Sequence, residues 1–502
     1  MSIKIIKPSF DIIDKLVLSE KKEYFSQGIT QWLKMFGILY DNDSENISKD
    51  DYLIYLRGSI KEINNKAPFF LEGPVDQRIC KKLNLKFKNN KASLFEFSFN
   101  NMTSEWGIQI DTQKEIPNKR NITTKVSSIQ NEKFTQQLSF KYHTFEPNNT
   151  WKPIAYARNS GEKKFFPVIL SNGKSIISGL PIFDLAIRQM LMPSSKHGYF
   201  SVKKPGMPFN VQCWLIESIF FHAIKSNCTV ARIHPWPNNY KSAITIRHDY
   251  DRKCEFKDFS ELLSFYKKYK MKMSIGFLVN NIPKKLLKYI KRDAHEIALH
   301  FNGSNEKDLN NEKTELEKTI GSSVNGITIH GGIGSKGHLG NRTYEDCEKN
   351  NIIYTESLGR DLYLPHEYLS FKKKKIINNN LIIIGSKLSL DQNTQPLGHF
   401  KEDLLKIIPF IINNSALVNI MNHPDIHVNQ LKCIIKNLDL SQIWKATNLE
   451  IINWYKQTKV YGNYQLKNQT LECKFKNLEN NIKLDVYKSG KRETVYINKK
   501  TK

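Results

Sequence analysis

AITIRHDYDR, residues 243–252, is a short apolar run that breaks into Arg247, His248, Asp249, Tyr250 and Asp251. An apolar run of this length reads as a strand buried on both faces, the pattern of a parallel sheet covered by helices. The texture recurs downstream in MSIGFLV (273–279), EIALHF (296–301), GITI (326–329), IIYT (352–355), LIIIG (381–385) and ALVNIM (416–421). Helical segments lie between: near Asp258–Tyr269, from Pro283, from Ser304 and around Thr343–Lys349. Pro283 suits a first helical turn, and Ser304 suits an N-cap. This alternation predicts an α/β fold, a distorted β/α barrel of about seven parallel strands. It occupies residues 235–460.

Polar residues sit where the strands give out. AITI runs into Asp249 and Asp251, EIAL ends at His300, GITI ends at His330 and ALVNIM ends at Asn422 and His423. In a β/α barrel such ends converge on one mouth. Carboxylates and imidazoles gathered there suit a divalent metal, with zinc preferred. Asp249 and Asp251 are two apart and face the same way in extended chain, so one can bind a metal while the other sits beside the attacking water. His295 and His300 are five apart and face opposite sides. His300, at the strand end, is the better ligand, and His295 reads as a hydrogen-bonded residue at the strand start. Plainer alternatives stand beside these: Asp249 and Asp251 as a loop-capping pair, His300 as a satisfied core histidine, His330 as part of a Gly331-Gly332 turn, His423 as a strand cap. Arg247 is placed to pair with Asp249 or Asp251 and hold it ionised. Asp391 is a weaker candidate for orienting His423. His338, His366, His399 and His427 read as loop residues without a role.

Outward from this region the chain is less regular. Residues 1–230 form a mixed α/β region of unassigned role, with helical spacing in Phe10–Leu18 and Tyr24–Leu39 within a helical opening of about 65 residues. Strands and turns follow from Lys91 to Ser175, then a strand, a turn and an amphipathic helix in NGKSIISGLPIFDLAIRQML. After residue 461 three alternating runs predict a β-rich tail, 461–502, with antiparallel strands. Leu404–Met421 reads as a buried helix followed by a strand, not a membrane span.

The 502 residues are 40% hydrophobic and carry a net charge of +27. The excess is spread along a chain rich in Lys, Asn and Ile, without zinc-finger spacing or an aromatic RNA-binding signature, which argues against nucleic-acid binding. The tight run Lys372–Lys375 reads as a turn. Seven cysteines with no CxxC pair argue against a disulfide framework and fit a reducing compartment. The N-terminal residues read as no signal peptide, so the expected location is cytoplasmic.

RHDYDR (247–252), AHEIALHF (294–301), IHGG (329–332) and NHP (422–424) together resemble the polysaccharide deacetylase superfamily, the chitooligosaccharide deacetylase-like enzymes of carbohydrate esterase family four, over residues 235–455. The resemblance implies that Asp249 is a catalytic base, Asp251 and His300 are metal ligands, and His423 is a general acid. Where the family has a second ligand histidine, this chain has Ser304. Where the third motif has an arginine and a proline, it has His330-Gly331-Gly332. His330 is therefore expected to complete the metal site or to contact the substrate. The implied activity is metal-dependent removal of an acyl group, acetyl above all, from an N-acylated sugar or glycan precursor in surface polysaccharide metabolism. The alternatives are hydrolysis of a non-sugar amide or cyclic imide, and a catalytically degenerate glycan-binding scaffold.

Overall fold

In a computed structural model, the described residues are 3–6, 22–39, 51–55, 67–73, 75–92, 95–99, 140–159, 163–183, 209–251, 256–282, 284–293, 295–303, 306–330, 341–357, 363–372, 375–386, 388–390, 401–460, 463–467, 470–474, 481–488 and 491–497. The expectations for Phe10–Leu18, Pro283, Ser304, Gly331, Gly332, His338, Asp391 and His399 lie outside them.

Ten strands form the sheet that carries the site: β1 (Ser242–Tyr250), β2 (Ser274–Phe277), β3 (Glu296–Phe301), β4 (Gly326–Ile329), β5 (Tyr354–Ser357), β6 (His366–Lys372), β7 (Lys375–Ser386), β8 (Leu388–Ser389), β9 (Leu417–Asn422) and β10 (Ile443–Lys445). Their order is β6-β7-β5-β4-β3-β2-β1-β9-β8, with β10 also paired to β1. Every pairing is parallel except that of β6 with β7. All seven expected strands are present. The additions are the short β8 and β10 and the antiparallel β6, with its Lys372 opposite Lys375 of β7. His366, expected in a loop, is a buried residue of β6. The sheet curls, bringing Cα atoms of β7 within 8 Å of β9, but its end strands β6 and β8 are not paired with each other. It is a half-barrel rather than a closed one.

Every residue of β1 is buried, so both its faces are covered. The helix Phe256–Lys268 presents Phe259, Leu262, Leu263 and Tyr266 to it, a helical stripe. Tyr266 also hydrogen-bonds His248 Nε2 at 2.5 Å, on the outer face of β1. The helix Asn448–Tyr455 closes the floor with a Thr447–Glu450 capping box. Beneath it the carboxylate of Glu296 accepts from Ser274 Oγ (2.7 Å), Leu449 N (2.9 Å) and Tyr354 Oη (2.5 Å).

The N-terminal region differs from expectation. Strands at Ile3–Ile6 and Tyr52–Tyr55 interrupt the predicted helical opening, and Lys22–Met35 is helical. Seven strands make a mixed sheet, in which Ile3–Ile6, Tyr52–Tyr55, Phe69–Leu71 and Ile176–Ser178 run parallel. Its hydrophobic core is not separate. Trp32, Phe36, Trp214 and Ile219 share one buried cluster with Ile244, Tyr354 and Ile382–Ile384 of the half-barrel. Gln31 Nε2 donates to Glu367 of β6 (2.8 Å) across the expected boundary. A smaller cluster around Leu53, Phe69, Trp151 and Leu170 belongs to the N-terminal region alone. Among the described residues the tail holds four strands rather than three. Its last hairpin, Ile482–Lys488 and Lys491–Ile497, adds to Val230–Ile233.

Candidate metal and catalytic site

The site lies at the C-terminal ends of β4, β3, β1 and β9, around the gap left by β2. In register, Asp249 of β1 stands beside Gly276 of β2, and Gly276 stands beside Ala298 of β3. A Cβ on Gly276 would come within 2.9 Å of Thr328 Oγ1, 3.2 Å of Asp249 Oδ1 and 3.3 Å of His300 Cβ. The missing side chain therefore makes the room in which these three residues approach one another.

Parity places the rest. Arg247 and Asp249 share the inner face of β1, and Arg247 Nη2 donates to Asp249 Oδ2 at 2.6 Å, with both side chains almost fully buried. A guanidinium this close favours the ionised carboxylate. Of the two partners expected for Arg247, Asp249 is the one found. His248 faces the other way, and burial lowers its pKa to about 3. Met273 N–H donates to His295 Nδ1, so His295 is a hydrogen-bonded residue ahead of β3, and burial lowers its pKa to about 4.

Asp251, just past β1, is where the side chains meet. His300 Nε2 lies 2.8 Å from its Oδ1, and His423 Nε2 and His330 Nε2 lie 3.0 and 3.8 Å from its Oδ2. Burial alone would raise the Asp251 pKa. The neighbouring rings of His300 and His423 outweigh it and hold the carboxyl well below the usual range. Burial and the neighbouring His300 lower the pKa of His330, favouring the neutral ring that a metal needs. One ligand atom each from Asp251, His300 and His330 lies within 4.8 Å of the others. His423 reaches the same carboxylate without joining that set.

The structure thus brings together all five residues singled out in the sequence. Asp249 sits deeper than Asp251, 3.8 Å from the Nδ1 of His300. One carboxylate and two imidazoles form a mixed O/N donor set that fits a divalent cation such as zinc. His330 enters from the end of β4, a neighbour of β3. Sequence reasoning missed Gly276, Thr328 and Asn302. Thr328 Oγ1 contacts His300 Nδ1, and Asn302 Oδ1 contacts His330 Nδ1, both at 2.7 Å.

No protein-family model and no curated protein matches the chain. Solved structures that match include a protein assigned as a polysaccharide deacetylase from Mycobacterium smegmatis, 15% identical with a TM-score of 0.35, over 45% of this chain and 93% of that one. The allantoinase PuuE is 13% identical with a TM-score of 0.34, over 44% of this chain and 93% of its own. A mutant of the peptidoglycan deacetylase PdaC from Bacillus subtilis is 13% identical with a TM-score of 0.30, over 45% and 95%. The likeness to polysaccharide deacetylases spans less than half of this chain.

Proposed function

We propose that the half-barrel is a metal-dependent hydrolase that removes an acyl group, acetyl above all, from the nitrogen of an acylated sugar. The observation that carries this reading is the Asp251, His300 and His330 donor set, with Asp249 beside His300 and His423 beside Asp251.

Asp251, His300 and His330 would hold the cation. When bound, it would lower the pKa of a water toward ~7 and polarise the acyl carbonyl. The remaining work belongs to the chain's own groups. Asp249, kept ionised and fixed in direction by Arg247, takes the proton of the attacking water. His423 offers its Nε2–H at the opposite edge of Asp251, where it protonates the departing amine, otherwise a very poor leaving group. The products are a carboxylic acid and an amino sugar. A precursor of surface polysaccharide, met in the cytoplasm, is the proposed substrate class.

The test is acid release from N-acetylhexosamine derivatives by the zinc-loaded full chain. Acetate released by the wild type and lost in His423→Ala supports the reading. Turnover of cyclic imides with no acetate from any acetylated sugar replaces it with the amide-hydrolase alternative. No zinc bound and no turnover of either class leaves a glycan-binding scaffold.

A further inference from the structure

The strands β3 and β4 carry their polar residues in opposite order. His-x-Asn (His300, Asn302) ends β3, and Thr-x-His (Thr328, His330) ends β4. His300 is the register partner of Thr328. The ladder continues through His330 N–H to Phe301 O at 2.9 Å, so Asn302 and His330 form the next neighbours on the same face. Each histidine therefore stands beside a polar residue of the other strand. The 2.7 Å contacts run Thr328 Oγ1 to His300 Nδ1 and Asn302 Oδ1 to His330 Nδ1.

We propose that Thr328 and Asn302 are crossed positioning residues. Each fixes the ring of the metal-ligating histidine on the neighbouring strand and directs its Nε2 at Asp251. This rests on the assignment of His300 and His330 as ligands.

The chemistry differs usefully between the two. An amide oxygen only accepts, so His330 Nδ1 carries the proton and its Nε2 keeps the lone pair a metal requires. A hydroxyl both donates and accepts, so Thr328 holds the His300 ring in either tautomer. The Nε2 of that ring faces a carboxylate oxygen of Asp251 at 2.8 Å. Crossing also locks the two strand ends together. Displacing one strand relative to the other would break both contacts at once. The outer partners of metal-bound histidines typically matter to metal affinity by roughly 10- to 100-fold.

Three variants of the full chain test this: Asn302→Leu, Asn302→Asp and Thr328→Val. Zinc affinity is measured by chelator competition, and the tautomer of His330 in the metal-free chain by nitrogen NMR of labelled histidine. The expected result is a roughly 10- to 100-fold loss of zinc affinity in Asn302→Leu and in Thr328→Val. Asn302→Asp, which keeps an acceptor oxygen, should stay within a few-fold of wild type. The wild type should show His330 protonated on Nδ1, and Asn302→Leu should show a mixture. Unchanged zinc affinity and unchanged tautomer in Asn302→Leu overturn the proposal. So does an Asn302→Asp variant that loses as much affinity as Asn302→Leu, since that would mark a merely structural role. A wild-type chain that binds no zinc overturns the ligand assignment itself, while the NMR readout still decides whether Asn302 sets the ring.

Discussion

Arg247 and Asp249 lie almost fully buried against each other beneath the site. Removing one member of such a pair leaves the other charge without compensation, at a cost of about 3–5 kcal/mol. Arg247→Leu should therefore lower the denaturant midpoint strongly, while Asp251→Asn, in a partly exposed group, should cost less stability and act mainly on metal binding. Equal stability losses in chemical denaturation would contradict this. His423→Ala separates acid catalysis from ligation. It should retain zinc and lose roughly a hundredfold to ten-thousandfold in turnover, read as kcat with metal content measured in parallel. At this scale the sequence was informative. Asp249, Asp251, His300, His330 and His423 each stand at the end of an apolar run, where a charged or titratable residue has a reason to be visible. Thr328 and Asn302 were not legible. A lone polar residue near a strand end acquires meaning only when the register shows which histidine it faces.

Gly276 shows what an element contributes beyond its residues. β2 carries no site side chain, yet its neighbours crowd toward the space above Gly276. Gly276→Ala should push Thr328 from His300 and weaken zinc binding with a smaller effect on folding. Wild-type affinity in that variant, by the same chelator competition, would show the space to be incidental. The C-terminal hairpin makes a second case. Asp485 is fully buried and accepts hydrogen bonds from His234 (2.6 Å), Thr494 (2.6 Å) and Arg492 (2.8 Å). Burial would raise its pKa, but those donors more than offset it and hold the carboxyl well below the usual range. A depressed pKa contributes stability that is present above the unfolded value of ~3.9 and lost as the pH falls toward the folded value. Asp485→Asn should therefore be less stable than wild type at neutral pH, and the difference should shrink below about pH 4. A difference that stays constant down to pH 2 would show that the charge is not what binds the hairpin. The seven expected strands of the half-barrel were readable because each coincides with an apolar run bounded by polar or turn residues. β8 and β10, at two and three residues, are too short to carry a pattern. β6 lay next to a lysine run that signalled only its turn.

The core of the whole molecule crosses the boundary drawn near residue 230. Trp32, Phe36 and Ile219 lie in the same buried cluster as the strands of the half-barrel, and Gln31 reaches Glu367 on β6. Residues 235–460 expressed alone should expose this apolar surface and aggregate or remain molten, while the full chain should unfold without a separate transition for the half-barrel. A soluble fragment with a sharp calorimetric transition of its own would contradict that. The N-terminal architecture was hidden because Ile3–Ile6, Tyr52–Tyr55, Phe69–Leu71 and Ile176–Ser178 pair in parallel across long intervening stretches of chain. Local periodicity cannot report such pairing. Among the described residues, no helix is long and apolar enough to cross a membrane.

Anomalous diffraction at the zinc edge, from crystals of the full chain grown with zinc, tests the central claim most directly. The expected result is a peak about 2.0–2.2 Å from a carboxylate oxygen of Asp251 and from the Nε2 atoms of His300 and His330. Density free of any peak there, or zinc held only by other residues, would contradict it.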